Sequence, residues 1–223
     1  HKQLLSLISL NWSGACWGYQ YPWQDLGFFA PKATPNAVVT AFVCEAFLQG
    51  YRILGKAEYQ QVVASAADFF LNDLTILKKT DEELCLAYMP LTMQMHVMDV
   101  SILIAAVLAQ LWAINGEIRL QEAASKLARY VVNRQTEEGA WFYTDPPSDS
   151  PVKIDNYHTG FILDALDRVI TALNRDEWRE NYHRGAAFYA DHLFNEDGSP
   201  RWMSHQDYPH DVHGAAQGIL TFS

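Results

Sequence analysis

The sequence repeats one pattern four times: an Asn or Asp is followed by a long, almost uninterrupted apolar run. The repeats are spaced by 55 to 63 residues and begin at Asn36, Asp99, Asn156 and Asp211. A period of this length is typical of one helical hairpin with its loops, and such self-similarity predicts a repeat architecture. The Asn or Asp suits the N-cap of each helix, where its side-chain oxygen accepts a hydrogen bond from a backbone N–H.

The apolar runs predict inner helices that are enclosed on all sides. Only Glu45 is charged in the first run, and nothing is charged in the second, from Val100 to Asn115. Between the runs, apolar residues are spaced by three and four, and polar residues occupy the opposite side of the helix. This pattern predicts amphipathic outer helices with one solvent-exposed face. We expect these outer helices over residues 57–77, 118–134 and 177–193.

Alternating inner and outer helices predict an all-α fold, an α/α toroid with a short aromatic segment before each inner helix. We expect residues 1–223 to form one domain. A closed ring needs about six hairpins. Four are visible, so we expect the chain to be part of a longer toroid that continues beyond both ends. The alternative is an open solenoid, whose repeats are typically ~34 to 47 residues long.

The charge balance excludes several classes of partner. The net charge is -10 and the pI is near 5.1, with no run rich in Lys or Arg, so neither a nucleic acid nor an anionic membrane is expected. The longest uncharged stretch is shorter than the ~20 residues of a transmembrane span. Cys16, Cys44 and Cys85 form no CxxC or CxxH pattern. We therefore predict no disulfide framework, metal site or cofactor, and a reducing compartment such as the cytoplasm.

The segment KLARYVVNRQTEEGAW, from Lys126 to Trp141, resembles the QW repeat of terpene cyclases. That repeat contains a basic residue, an aromatic and aliphatic pair, a Gln and a Gly-x-Trp. The matching residues here are Lys126, Tyr130, Val131, Gln135, Gly139 and Trp141. Leu127 departs from the small residue usual at its position. The resemblance implies that the Trp ties neighbouring outer helices together, a role in architecture and not in chemistry.

Four further segments support a second resemblance. They read WGYQYPWQ, FFAPKATPNAVVTAF, DNYHTGFILDAL and YPHDVHGAAQGILTFS. They resemble VpsJ-type bacterial polysaccharide-biosynthesis proteins, which are related to the prenyltransferase and squalene-cyclase toroids. The resemblance implies a role in making or modifying a polysaccharide and no particular catalytic residue. Isoprenoid chemistry is disfavoured, because the chain has no Asp-x-Asp-Asp acid motif and no matching set of Asp, Cys and His zinc ligands.

In a toroid the N-terminal ends of the inner helices surround one opening. The Asn and Asp residues that begin these helices and the aromatic segments before them would lie together around it. Aromatic rings beside hydrogen-bonding groups suit an oligosaccharide or polysaccharide, whose C–H faces stack on rings. Partial positive charge at the helix N-termini would favour an acidic sugar. The predicted binding residues are Tyr19, Trp23, Gln24, Asn36, Asp99, Tyr143, Asn156 and Trp202, with Asp25 beside Gln24 at a loop tip.

Two histidines, His158 and His213, are the predicted catalytic residues, with Asp155 and Asp211 as their partners. A His with a pKa of about 6.5 moves protons at neutral pH, and a carboxylate can orient it. The alternative is that each His caps a helix and holds neighbouring repeats together. The occurrence of the same residue in two repeats favours that structural role.

Three functions stay open at the level of the sequence. The first is a carbohydrate-active enzyme of lyase, hydrolase or epimerase type that acts on an acidic glycan. The second is a non-catalytic glycan-binding or assembly scaffold. The third is an isoprenoid-binding toroid, whose aromatic residues would lie well below the rim.

Overall fold

The computed structural model describes residues 2–24 and 28–223, which are mostly helical, and Asp25 lies outside them. The helices are α1 (Lys2–Leu5), α2 (Ala37–Leu54), α3 (Ala57–Asn72), α4 (Met98–Asn115), α5 (Ile118–Val132), α6 (Asn156–Leu173), α7 (Arg179–His192) and α8 (Val212–Thr221). Short antiparallel pairs of strands join β1 (Trp23–Gln24) to β2 (Phe29–Ala30), β3 (Ile76–Lys79) to β4 (Leu84–Leu86), and β5 (His96–Val97) to β6 (Thr144–Asp145).

The inner helices are α2, α4, α6 and α8, and the outer helices are α3, α5 and α7. Each of the first three inner helices packs against the next inner helix and against the outer helix that follows it. Every residue from Met98 to Leu111 of α4 is buried, as its uncharged sequence predicts. By length and composition alone, α2 and α4 could cross a bilayer, but 78% of α4 is buried inside the protein, as in the core helix of a globular domain.

The inner helices begin near the predicted anchors. Asn36 caps α2 and Asp211 caps α8, and each side chain accepts a hydrogen bond from a backbone N–H in the first turn. The prediction of Asn156 as a cap is wrong, because Asp155 caps α6 by accepting the backbone N–H of His158. The Asn156 side chain instead points into the core, where it is hydrogen-bonded.

Two other expectations need correction. Asp99 lies inside the first turn of α4 and not at its cap, because β5 runs directly into this helix and Val97 occupies the cap position. Helix α3 ends at Asn72, although the pattern predicts helix to residue 77, because residues 76–79 pair with β4 instead. The short strand pairs therefore interrupt the all-α pattern in the segments that precede the inner helices α2, α4 and α6.

The QW-like segment joins α5 to α7. The Gln135 amide donates to the carbonyl oxygens of Gly139 and Asn181, each at 2.8 Å. The Trp141 indole is 1% exposed, and its N–H donates to a backbone carbonyl of α5 at 2.9 Å. Its ring covers Gly185 of α7 so closely that an added Cβ would lie 2.5 Å from it. The segment thus has the architectural role that its sequence predicts.

Candidate active site

A cavity of about 1480 Å³ opens among the N-terminal parts of α2, α4 and α6 and along one face of α8. Its wall consists of the apolar face of α2, the starts of α4 and α6, one face of α8, and residues 92–95 and 149–152. Several aromatic and titratable side chains line it: Tyr19, Trp23, Tyr88, Asp99, Tyr143, Tyr157, His158 and His213.

Tyr19, Trp23 and Tyr88 form an aromatic group in this wall. Both tyrosine rings contact Trp23 edge to face, with ring centroids 5.4 and 5.7 Å from that of the indole. The two hydroxyls are hydrogen-bonded to each other, and burial raises the pKa of both phenols. Because the hydroxyls stay protonated at neutral pH, they can donate and accept hydrogen bonds beside the stacking surfaces. This combination suits the hydroxyls and C–H faces of a sugar.

His158 and Asp155 form a hydrogen-bonded pair at the start of α6. The imidazole Nδ1 is 2.8 Å from Asp155 Oδ2, and the same oxygen accepts the His158 backbone N–H. The rings of Tyr143 and Tyr157 lie against the imidazole, with ring centroids 4.5 and 4.1 Å away. The His158 side chain is 16% exposed and that of Asp155 is 2% exposed. In the described part of the chain, Nε2 has no hydrogen-bond partner and is the nitrogen left for a ligand.

Asp99 is the second carboxyl group, after Asp155, that raises the pKa of His158. Burial alone would lower the pKa of His158, but the charge and hydrogen bond of Asp155 and the charge of Asp99 raise it overall. Burial raises the pKa of Asp99, the charge of Asp155 adds to this effect, and His158 opposes it. Asp99 is 1% exposed, and its Oδ1 has no hydrogen-bond partner among the described residues. The site thus combines a carboxylate paired with an imidazole and a second, buried carboxyl group in which one oxygen has no partner among the described residues.

We expect the protonation of His158 to contribute stability that is lost as the pH rises. Folding raises the pKa of His158, because Asp155 and Asp99 are the charged groups that face it. The contribution is therefore complete below the unfolded pKa of about 6.5, and it disappears as the pH passes the higher folded value. Urea unfolding of the wild type and of His158→Gln between about pH 5 and pH 9 should show a difference that shrinks with rising pH. A difference that stays constant would contradict this coupling.

His213 has a different environment from His158, despite the similar sequence around it. Its ring stacks on that of Tyr157 at 4.3 Å with an interplanar angle of 14°, and the residue is exposed. Asp211 accepts the His213 backbone N–H at 2.9 Å. Within the described ranges, no hydrogen bond joins the Asp211 carboxylate to the imidazole. The structure therefore brings His158 and Asp155 together as a pair, whereas His213 supplies a stacking surface in the same cavity.

Asn36 and Asn156 lie behind the cavity and use their side chains within the protein. The Asn36 Oδ1 accepts the Val39 N–H at 2.8 Å. The Asn156 amide donates to the Leu193 carbonyl at 2.5 Å and accepts from the Tyr189 hydroxyl at 3.1 Å. Neither asparagine lines the cavity.

Trp202 and Gln24 lie beside the cavity and do not line it. The Trp202 ring centroid is 6.4 Å from that of Tyr157, so Trp202 supports a wall residue. The Gln24 side-chain amide donates to the Phe28 carbonyl at 3.0 Å.

Three titratable residues of the wall are absent from the predicted site: Tyr88, Asp149 and Tyr157. A signal for Tyr88 exists, because it ends the segment CLAY with the same spacing as Tyr19 in CWGY and Tyr143 in AWFY. Asp149 and Tyr157 have no such signal. Their position depends on how the loop before α6 folds back over the start of that helix.

The charge of the wall is mainly negative. Its carboxylates are Asp99 and Asp149, and among the described residues no Lys or Arg lines the cavity. In the same residues, no group of three or more His, Cys, Asp or Glu side chains is arranged to hold a metal ion. The sequence predicts a preference for acidic sugars, and the wall does not supply the cations that would pair with them.

No protein-family model matches the sequence, and no curated protein matches it. Solved structures share its fold. A cellobiose 2-epimerase from Bacillus thermoamylovorans superposes with a TM-score of 0.70 and 12% identity over 98% of this chain and 62% of that one. A glycoside hydrolase family 76 mannosidase from Bacteroides thetaiotaomicron gives 0.68 and 13% over 99% and 62%. A polysaccharide lyase gives 0.62 and 11% over 81% and 58%.

These neighbours define the class of the fold. The chain is mostly helical and has the fold of α/α-toroid carbohydrate-active enzymes. It spans 54–62% of the length of the neighbours, another of which is a sugar epimerase from a ruminal bacterium. At identities of 10–14%, the likeness concerns the fold and not the individual reaction.

Proposed function

We propose that this chain forms the saccharide-binding and catalytic part of a carbohydrate-active α/α-toroid enzyme. The single observation that supports this best is the His158–Asp155 pair in the wall of an aromatic cavity at the starts of the inner helices. The rings of Tyr19, Trp23 and Tyr143 offer stacking surfaces for a sugar beside it. The structural neighbours include an epimerase, a mannosidase and a polysaccharide lyase, all of which act on sugars.

In this proposal His158 moves the proton. When the imidazole is neutral, Nδ1–H donates to Asp155, so the lone pair of Nε2 is free to accept a proton from a bound sugar. The Asp155 carboxylate then stabilises the imidazolium that forms, and it fixes the ring because it also caps α6. Hydrolysis, epimerisation and elimination all need such a group, so the pair defines acid–base chemistry without choosing among the three.

The finer assignment to VpsJ-type polysaccharide biosynthesis rests on the four sequence segments alone. We keep it as the proposed biological context. A cytoplasmic location is proposed with it, because Cys16, Cys44 and Cys85 are unpaired and buried.

The test is a thermal-shift screen of the protein against neutral and acidic oligosaccharides, with isoprenoid diphosphates as the contrasting ligands. Every saccharide that raises the Tm is then incubated with the protein and analysed by mass spectrometry and chromatography. The proposal expects a positive shift and a new product or epimer. A shift without product indicates the glycan-binding scaffold, and a shift with isoprenoid diphosphate alone contradicts the saccharide assignment.

A further inference from the structure

We infer that the saccharide bound in this cavity is uncharged, and that Asp99 excludes acidic sugars from it. The inference rests on the proposed function, because it names the substrate class for the same cavity. It reverses the preference for a uronate that helix N-termini alone would suggest. Three features of the cavity support it: the caps of the inner helices, the charges of the wall and the unpaired oxygen of Asp99.

The first feature is that the helix N-termini are already occupied. An N-terminus attracts an anion through backbone N–H groups that lack a partner. Here the side chains of Asn36, Asp155 and Asp211 each accept one of these N–H groups in α2, α6 and α8. The carboxylate of Asp99 lies in the first turn of α4. Two of the caps and the α4 residue are acidic, so at three of the four N-termini a carboxyl group already lies where an anion would bind.

The second feature is that no Lys or Arg belongs to the cavity wall in the part of the chain that the structure describes. A sugar carboxylate buried in a cavity needs a Lys or Arg to pair with it, because an unpaired buried charge is costly. No Lys or Arg lines the cavity in the described ranges. Lys153 follows the lining segment 149–152, but its ammonium group donates to the carbonyls of Pro147 and Ser150 at 2.5 and 2.6 Å. His158, when protonated, is already paired with Asp155.

The third feature is Asp99 itself. Its side chain is 1% exposed, lines the cavity, and leaves Oδ1 without a hydrogen-bond partner among the described residues. Oδ1 is an acceptor, so a hydrogen-bond donor such as a sugar hydroxyl matches its chemistry. A sugar carboxylate at the same place would bring two anionic groups together in a poorly hydrated site. Asp99 therefore favours a hydroxyl over a carboxylate.

The inference also narrows the reaction class. Lyase chemistry on a polysaccharide removes a proton next to a sugar carboxyl group, which stabilises the resulting carbanion. An uncharged sugar lacks that group. A cavity that excludes acidic sugars is thus suited to hydrolysis or epimerisation, and not to elimination.

The experiment measures Kd by isothermal titration for matched pairs of trisaccharides that differ only in charge. The pairs are gluco-, manno- and galacto-configured trisaccharides and the corresponding uronates. For any pair that binds, we expect the neutral member to bind at least about tenfold more tightly. Equal or tighter binding of the uronate would overturn the inference while leaving the proposed function intact. If no trisaccharide of either charge binds, the proposed function itself fails, and the inference fails with it.

Two variants test the role of Asp99. Asp99→Asn keeps the shape of the side chain and removes its charge, so the preference for the neutral sugar should fall by about tenfold. Asp176→Asn is the matched control, since Asp176 is 80% exposed on the surface and its loss changes the net charge equally. A preference that is unchanged in Asp99→Asn would contradict the role of Asp99. If that variant does not fold, the ratio of the Kd values of the uronate and the neutral trisaccharide for the wild type still tests the inference.

Discussion

His158→Gln is expected to lower the turnover of the saccharide substrate by about 10²- to 10⁴-fold while its Kd changes little. Gln retains a hydrogen-bonding group for Asp155 but cannot accept a proton from the substrate. The Tyr143 and Tyr157 rings that lie against the imidazole remain in place as stacking surfaces. The measurement is the rate of product formation at saturating substrate, together with Kd by titration calorimetry.

Two further variants separate proton transfer from structure. Asp155→Asn preserves an oxygen that can cap α6 but removes the charge that raises the pKa of His158. Its pH–rate profile should therefore shift to lower pH, which a purely structural role would not produce. His213→Gln is the comparison variant for His158→Gln. The His213 ring is exposed and stacks on Tyr157, but it has no carboxylate partner in the described chain. Full turnover in His158→Gln would remove His158 from the mechanism.

Trp141→Ala is expected to reduce the free energy of unfolding by about 3–5 kcal/mol. The indole is almost completely buried, and its loss leaves a cavity between α5 and α7. It also leaves a backbone carbonyl of α5 without the indole N–H as its donor. Urea denaturation followed by circular dichroism measures the change.

The matched control is Trp12→Ala. Trp12 is 37% exposed and contacts Phe69 at its edge, with ring centroids 6.3 Å apart. We expect this variant to lose less than about 2 kcal/mol, because less apolar area leaves the core. Equal losses in the two variants would show that the QW-like segment contributes no more than any large aromatic side chain.

Much of the fold was readable from the sequence. The apolar runs identify the inner helices, and the anchors Asn36 and Asp211 identify two caps. The segment around Gln135 and Trp141 predicts the link between α5 and α7. The helices and caps depend on the chain within about one helical turn, and the link between α5 and α7 depends on the chain within one repeat. Local periodicity and capping chemistry are therefore sufficient to predict them.

The tertiary structure alone distinguishes residues that look alike in the sequence. His158 and His213 follow similar patterns, but only His158 is hydrogen-bonded through its ring to a buried carboxylate. Tyr143 faces the cavity, whereas Trp141, two residues earlier, is enclosed between outer helices. Which side chains share a wall depends on packing between distant repeats, and no local pattern specifies that.

The same distinction applies to the charge of the site. The sequence by itself indicated that an Asn or Asp lies at or next to the start of each inner helix, and the partial charge of the helix N-termini then predicted the attraction of an anion. Only the tertiary structure decided that Asp99 is buried near His158, with one oxygen that has no partner among the described residues, and that no Lys or Arg of the described chain lines the same cavity. The physical reason is that electrostatic preference depends on distance and desolvation among residues far apart in the chain, whereas helix formation depends on neighbours.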